Sequence, residues 1–488
     1  MNEICLVSTY ESGFQSVGTA VAAAHFHNVG VTPELLDVSV SPAKSPQEFG
    51  QYDWIGFHVP MFHSLPAAFQ IASGIRASGV KSKCFFFGLY ASLFKSEILD
   101  KYGDYVFDTD WEDKIALLVT NPEELFAVHG GAAESSKLDL PADSYKRQDR
   151  FLAPKRELLP HVSAFAKLID RGAELVTGNV EATRGCVHKC THCPIPPVYD
   201  GKVTKIPVDV VLQDIDNLVA MGARNISFID PDFLNAPKHS IEIVRRMTER
   251  YPFLTYDFTA KVSHFRKHQE HVQALAQYGL SYVLTAMEFN NDNTLEILEK
   301  KHNVEDLNWT VKFLRSLGVH VKPTFVFINP WTSASEISEL LDFIESNDLI
   351  ECVDPIQYKI KLLLFKNSRL LDGARVPQGI LGKSNDLYTE WTHENPAIEE
   401  IYQRSSLAVD EGVERGAGND EIFAEVRSIV DEYLEVPLIK RGPRSILSIS
   451  LGDVPKYNVP NFCCAEPTSE KMMELKNNLI EACAKHWA

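Results

Sequence analysis

The sequence lacks any apolar run near the roughly 20 residues needed to span a bilayer. It also lacks a basic N-terminal stretch leading into an apolar one. It opens Met1-Asn2-Glu3-Ile4-Cys5, and no signal peptide is visible. Basic residues are in deficit, 48 against 66 acidic ones, for a formal charge of −18. Non-specific nucleic-acid binding needs cations that displace counterions from phosphate, so this balance argues against it. No internal repeat or low-complexity tract interrupts the 488 residues. Cysteines number only nine, an odd and unevenly spread set, which points to metal or redox use rather than a disulfide framework. These absences place the chain in the cytoplasm, with neither membrane nor nucleic acid as a partner.

What is present is the balance of a globular protein, 45% apolar and 23% charged, and too long for one ordinary core. Short apolar runs alternate with amphipathic ones from the start. Strands are predicted at Ile4–Ser8, Leu35–Val38, Trp54–Val59 and Cys84–Gly88, with helices over Gly18–His27 and Leu65–Ala77. Such alternation implies a doubly wound, Rossmann-like parallel sheet over residues 1–125. A small, polar and then proline-bearing stretch follows, a linker over 126–174. Over 175–375 the alternation resumes with a longer repeat. Strands are expected at Leu175–Glu181, Asn225–Asp230, Thr255–Lys261, Tyr282–Glu288, His320–Ile328 and Pro355–Leu363, with helices between them. Six units in series predict a partial (β/α)6 barrel, whose active site would lie at the C-terminal strand ends. Residues 376–488 read as a mostly helical extension. The fold class is therefore α/β.

Cys186-x3-Cys190-x2-Cys193 follows directly on the first barrel strand, in the context Glu181-Ala-Thr-Arg-Gly-Cys186. Three thiolates in an eight-residue loop reach three corners of one [4Fe–4S] cubane and leave its fourth iron without a protein ligand. The competing reading is a zinc site, with His188 or His192 as the fourth ligand. The position of the triad at the top of a barrel strand favours the cluster.

This motif, with its Thr183-Arg-Gly-Cys186 lead-in, resembles the signature of the radical S-adenosylmethionine (SAM) superfamily. The resemblance covers the barrel. It implies that SAM chelates the open iron through its amino and carboxylate groups, and that one electron breaks a C–S bond of the sulfonium. It also implies an electron donor such as flavodoxin or ferredoxin. His192 stands where that family usually has an aromatic residue. Asp230, Lys261 and Glu288 end the second, third and fourth strands, where the family places groups that meet SAM, although Phe289 replaces the usual Ser beside Glu288.

The first 110 residues resemble the cobalamin-binding domain that often precedes such barrels. The likeness lies in Ser16-Val-Gly-Thr, Asp53-Trp-Ile-Gly-Phe and Phe86-Phe-Gly-Leu-Tyr-Ala-Ser92. The Asp-x-His-x-x-Gly motif that supplies a histidine to cobalt is absent, and Leu89 replaces the second glycine of a pair. Cobalamin is thus weighed against a relic or substrate-shielding domain. His58 and His63 flank a strand end and are candidates to face a ligand.

Cys463-Cys464 sits in a loop bounded by Pro460 and Pro467. Adjacent cysteines close only a strained ring, so the pair suits redox cycling or capture of a thiophilic ion. Cys463-Cys464-Ala-Glu-Pro467 resembles the tail of CUAEP/CCAEP radical SAM proteins, whose second cysteine can be selenocysteine. Relatives with the paired-cysteine tail include enzymes on the route to arsinothricin. The resemblance implies transfer of the 3-amino-3-carboxypropyl group of SAM to trivalent arsenic, supplied as arsenite, with Cys463 and Cys464 as catalytic residues. Cys352 and Cys483 are candidates for a third thiolate, while Cys5 and Cys84 fall in strands predicted to be buried. The alternative is cobalamin-dependent methylation or rearrangement of a small molecule. A tRNA methylthiotransferase is rejected, because the N-terminal region holds only Cys5 and Cys84 and the formal charge is −18. A non-enzymatic metal sensor is the remaining contrast.

Overall fold

The computed structural model describes residues 3–122, 150–373, 375–434 and 453–459. Strands β1 (Ile4–Ser8), β2 (Glu34–Asp37), β3 (Trp54–His58), β4 (Lys83–Phe87) and β5 (Tyr105–Val106) form one all-parallel sheet in the order β2-β1-β3-β4-β5. Side chains alternate across its faces. Ile4, Leu6, Trp54, Phe85 and Phe87 pack with the helix Val17–Asn28, while Cys5, Val7, Ile55, Phe57 and Phe86 pack with the helix Ser64–Ala77. Burial on both faces explains why these strands read as continuous apolar runs. The strand order reverses between β1 and β3, the point at which such sheets usually take a ligand. Here that crevice holds the His58 imidazole. Its Nδ1 lies 3.1 Å from Ser16 Oγ, and its Nε2 lies 2.1 Å from where a Cβ on Gly18 would be.

The second sheet begins in the stretch read as linker. β6 (Lys167–Asp170) turns through Arg171 and Gly172 into the antiparallel β7 (Ala173–Val180). A short antiparallel hairpin of β8 (Thr183–Gly185) and β9 (Val203–Lys205) brackets the cysteine loop. β10 (Asn225–Phe228), β11 (Thr255–Thr259), β12 (Leu280–Glu288) and β13 (His320–Phe325) then run parallel to β7. Amphipathic helices close the outside. In Pro237–Arg250, Ser240, Ile243, Val244 and Met247 are buried at helical spacing, and proline opens the first turn. Ser333 and Glu336 form a capping box that starts Ala334–Ser346.

The sixth segment expected as a strand, Pro355–Leu363, starts instead as a 3-10 turn over Pro355–Lys359, with the Asp354 carboxylate accepting from Ile356 N. Proline has no N–H for a ladder, and the aspartate favours the turn. Among the described residues only the bridge Ile328–Lys361 continues the sheet beyond β13. The extension holds the helices Pro396–Glu414 and Asn419–Glu432, but also an unforeseen hairpin of β14 (Leu381–Ser384) and β15 (Thr389–Trp391). β16 (Lys456–Tyr457) pairs with β6 at the sheet edge. Among the described residues no helix is long and apolar enough to cross a membrane.

Two seams set the sheets against each other. In the first, Arg156 is fully buried and holds both oxygens of Asp214 at 2.9 Å, while its Nη2 donates to Asn179 O at 2.6 Å. Asn179 in turn donates to Gln15 O, and Gln15 to Pro160 O, so one polar chain spans both units. In the second, Leu363 and Phe365 enter the N-terminal core, and Lys366 pairs with Glu97 at 2.6 Å.

Candidate active site

Between the C-terminal edges of the two sheets lies a cavity of about 280 Å³. Its barrel side includes Cys186, Cys190, Cys193, Asp230, Lys261, Glu288 and Lys300, and its far wall is Pro60, Met61, His63, Leu89 and Tyr90. The barrel side carries the charge, and the far wall is mainly apolar.

The cysteine loop is held from several directions. Gly185, the last residue of β8, has φ +86, and a Cβ there would stand 2.2 Å from the Lys202 carbonyl oxygen; glycine is what the hairpin admits next to Cys186. Asn235 Oδ1 accepts from Val187 N at 3.2 Å and lies 3.9 Å from Cys186 Sγ. Thr191 donates through its backbone N–H and its hydroxyl to the carbonyls of Leu298 and Ile297. Arg369 donates to Lys189 O at 2.7 Å. Apart from the Cys186–Asn235 contact, these hold the loop without using the thiols.

Lys261, following β11, points its ammonium at Cys190 Sγ, 3.3 Å away. Burial lowers its pKa, and nearby Lys300 adds to that, while Cys190 opposes it. Burial and the neighbouring Asp232 push the Cys186 thiol up to about 11. A thiol so disposed is a poor free nucleophile and ionises when a metal replaces its proton. Three cysteine sulfurs lining one cavity, with a buried ammonium at Cys190, fit a metal cluster.

Glu288 ends β12 with φ 66, in the left-handed region, where the ladder with β13 shifts register. A non-glycine residue there costs on the order of 1–3 kcal/mol, strain of a kind found at ligand sites. The kink accompanies a carboxylate on the cavity that accepts from Lys300 Nζ at 2.7 Å and lies 3.1 Å from His192 Nε2. Burial alone would raise its pKa, but Lys300 and His192 hold it well below the usual carboxylate range. Asp230 is committed locally: its oxygens accept from Ala182 N, at 3.0 Å, and from the Thr183 hydroxyl, pinning the turn before the cysteines. Burial lifts its carboxyl to about 6.

Cys186, Cys190, Cys193, Asp230, Lys261 and Glu288 are thus brought to one cavity. Cys463, Cys464 and Cys483 lie outside the described residues. Cys352 is buried in the barrel core and is not among the cavity's lining. Cys5 and Cys84 are buried in β1 and β4, and burial raises both thiols to about 12. His63 lines the cavity, whereas His58 fills the crevice behind it. Lys300, Asn235 and His264 carried no signal in the sequence. Each acts through a fold contact, and only Asp232 lies beside a residue singled out in the sequence, two positions after Asp230.

Residues 180–344 match the Radical SAM superfamily. The chain carries a radical SAM domain and is an enzyme. It is 28% identical over 156 residues to cytidylyl-2-hydroxyethylphosphonate methyltransferase of Streptomyces wedmorensis, covering 31% of this chain and 29% of that protein. It is also 21% identical over 215 residues to the ribosomal protein uS12 methylthiotransferase RimO of Sulfurimonas denitrificans, covering 41% and 48%. The chain therefore spans less than half the length of these curated relatives. The fold is similar to that of the cobalamin-dependent SAM radical enzyme OxsB, solved with aqua-cobalamin and SAM bound. The TM-score is 0.64 at 14% identity, over 84% of this chain and 67% of that one.

Proposed function

We propose that this chain is a radical SAM transferase acting on a small molecule held between its two sheets. The observation that carries the proposal is the shared cavity: Cys186, Cys190 and Cys193 open onto it together with Lys261, Glu288 and Lys300. In this reading the three cysteines hold a [4Fe–4S] cluster. When bound and reduced by a donor such as flavodoxin or ferredoxin, the cluster supplies the electron that breaks a C–S bond of SAM. Lys261 offsets the negative charge of the sulfurs. Glu288 offers its carboxylate to an ammonium group, Lys300 its ammonium to a carboxylate, and the apolar far wall keeps water from the reacting region.

Methyl transfer with cobalamin is the form the geometry supports best. Met61, Leu89 and Tyr90 offer a shelf for a planar ring facing the cysteine loop, and the fold is shared with an enzyme solved with cobalamin bound. Behind the shelf, the switch-point crevice is filled by the His58 ring, which lies against Gly18. The second reading is transfer of the 3-amino-3-carboxypropyl group to trivalent arsenic held by Cys463 and Cys464. It is favoured by where the described chain ends. Val459 packs at Gly13, and Ser12 touches Met61 of the cavity wall.

One experiment separates the readings: anaerobic cluster reconstitution, then dithionite and SAM with or without hydroxocobalamin or arsenite, with the SAM fragments identified by mass spectrometry. Corrinoid that co-elutes with the protein, with S-adenosylhomocysteine formed, supports methyl transfer. Methylthioadenosine that depends on arsenite and on both tail cysteines supports the second reading. SAM turnover that survives loss of Cys186, Cys190 and Cys193 would sink both.

A further inference from the structure

Beside the cysteine loop, and using none of its sulfurs, three other side chains converge. His188 lies between Cys186 and Cys190, Asp232 follows β10, and His264 lies in the helix Val262–Lys267. His264 Nδ1 is 2.9 Å from Asp232 Oδ2, and His188 Nε2 is 3.5 Å from the same oxygen. One ligand atom from each residue lies within 4.8 Å of the others. Bonds of about 2.0–2.2 Å to a four-coordinate ion place neighbouring ligand atoms roughly 3.3–3.6 Å apart, the range these distances bracket.

Asp232 is 1% exposed and His264 4%, and the His188 side chain 16%. Despite their closeness to the carboxylate, neither His264 Nδ1 nor His188 Nε2 reaches hydrogen-bond geometry. Two imidazole nitrogens thus face one carboxylate oxygen at angles poor for a hydrogen bond, an arrangement that a shared ligand would satisfy. The carboxylate is anchored by backbone instead: Oδ1 accepts from Leu234 N at 2.9 Å, and Oδ2 from Lys261 N at 3.1 Å. Lys261 spends its ammonium on Cys190, and among the described residues the side chains that pair with Asp232 are the two imidazoles.

We propose that His188, Asp232 and His264 form a second metal site, for a divalent transition ion such as zinc or iron(II), with an open position on the cavity. Two imidazoles and a carboxylate are the ligands of borderline ions, too nitrogen-rich for calcium or magnesium and too hard for copper(I). His188 and Asp232 both line the cavity, so the remaining coordination position opens where the substrate would lie. An ion held there binds a substrate through an oxygen or nitrogen donor and fixes it against the cysteine loop. The proposal goes beyond the transferase reading and does not depend on the cluster.

The test uses the full chain with Cys186, Cys190 and Cys193 each changed to Ser, titrated anaerobically with Co2+. The expected result is one tight equivalent with ligand-field bands and no sulfur-to-cobalt charge-transfer band. Adding His264→Gln or Asp232→Asn should weaken binding by at least about a hundredfold, since a direct ligand costs more than its supporting partner. In case the triple variant misfolds, the cluster-loaded parent is assayed for zinc by elemental analysis. It should take one zinc that His264→Gln lacks, with iron and sulfide unchanged. Cobalt bound only through sulfur, or binding and zinc content indifferent to both substitutions, would overturn the site and leave a hydrogen-bonding cluster.

Discussion

The two sheets follow the same rule, parallel strands with helices outside, yet their C-terminal edges are furnished oppositely. The barrel edge ends in Cys186, Asp230, Asp232, Lys261 and Glu288, each held by side-chain or backbone partners before any ligand arrives. The N-terminal edge ends in Pro60, Met61, Leu89 and Tyr90, and its switch-point crevice is plugged by His58. One edge presents thiols and charged groups, the other an apolar surface. A shared topology thus says where a site can lie, and the side chains at the strand ends say what it can do.

Breaking the barrel edge should have the largest effect. Cys190→Ala is expected to abolish both cluster iron and SAM cleavage, read by iron analysis and product formation. The corresponding change on the other wall, Met61→Ala, should leave cluster iron in place. Breaking the seam comes next. Arg156→Met leaves Asp214 buried and unpaired, at a cost of about 3–5 kcal/mol, seen as a lower denaturant midpoint. Gly185→Ala should then lower iron occupancy after reconstitution, because a left-handed φ and the Lys202 carbonyl both oppose the new methyl group.

A pH comparison sharpens the contrast further. The Asp230 carboxyl is raised in the fold to about 6 from its usual 3.8, so the folded chain binds its proton more tightly than the unfolded chain. That contribution is full below about 4 and is lost as pH rises to about 6. The stability of the parent relative to Asp230→Asn should therefore fall across that window in thermal melts. Glu288 is shifted the other way, so its contribution persists above its unfolded pKa and is lost only well into acid. The smallest effect is expected at the plug. Gly18→Ala meets the His58 ring and should cost on the order of 1–3 kcal/mol without touching cluster iron, while His58→Ala should admit more hydroxocobalamin than the parent.

Much of this was legible in the chain. The buried strands of the first sheet announced themselves as apolar runs, and β1 falls where it was expected, residue for residue. The five parallel barrel strands and the intervening helices followed from spacing, and the cysteine triad from its motif. The misses have local causes. β6 is short and both strands it pairs with come later in the chain, the hairpin β14–β15 lies in a polar stretch, and Pro355 turns a strand-like sequence into a 3-10 turn.

Hydrophobic period, turn residues and cysteine spacing are properties of neighbours along the chain, and they were enough to place most strands along it and to find the triad. Lys300 meeting Glu288, His264 meeting Asp232, and His58 closing onto Gly18 join residues 12, 32 and 40 positions apart in the numbering of the chain. No local pattern encodes such pairs, because each depends on where two separate strand ends come to rest. The charge around the cysteines, the plugged crevice and the cavity between the sheets were decided by packing.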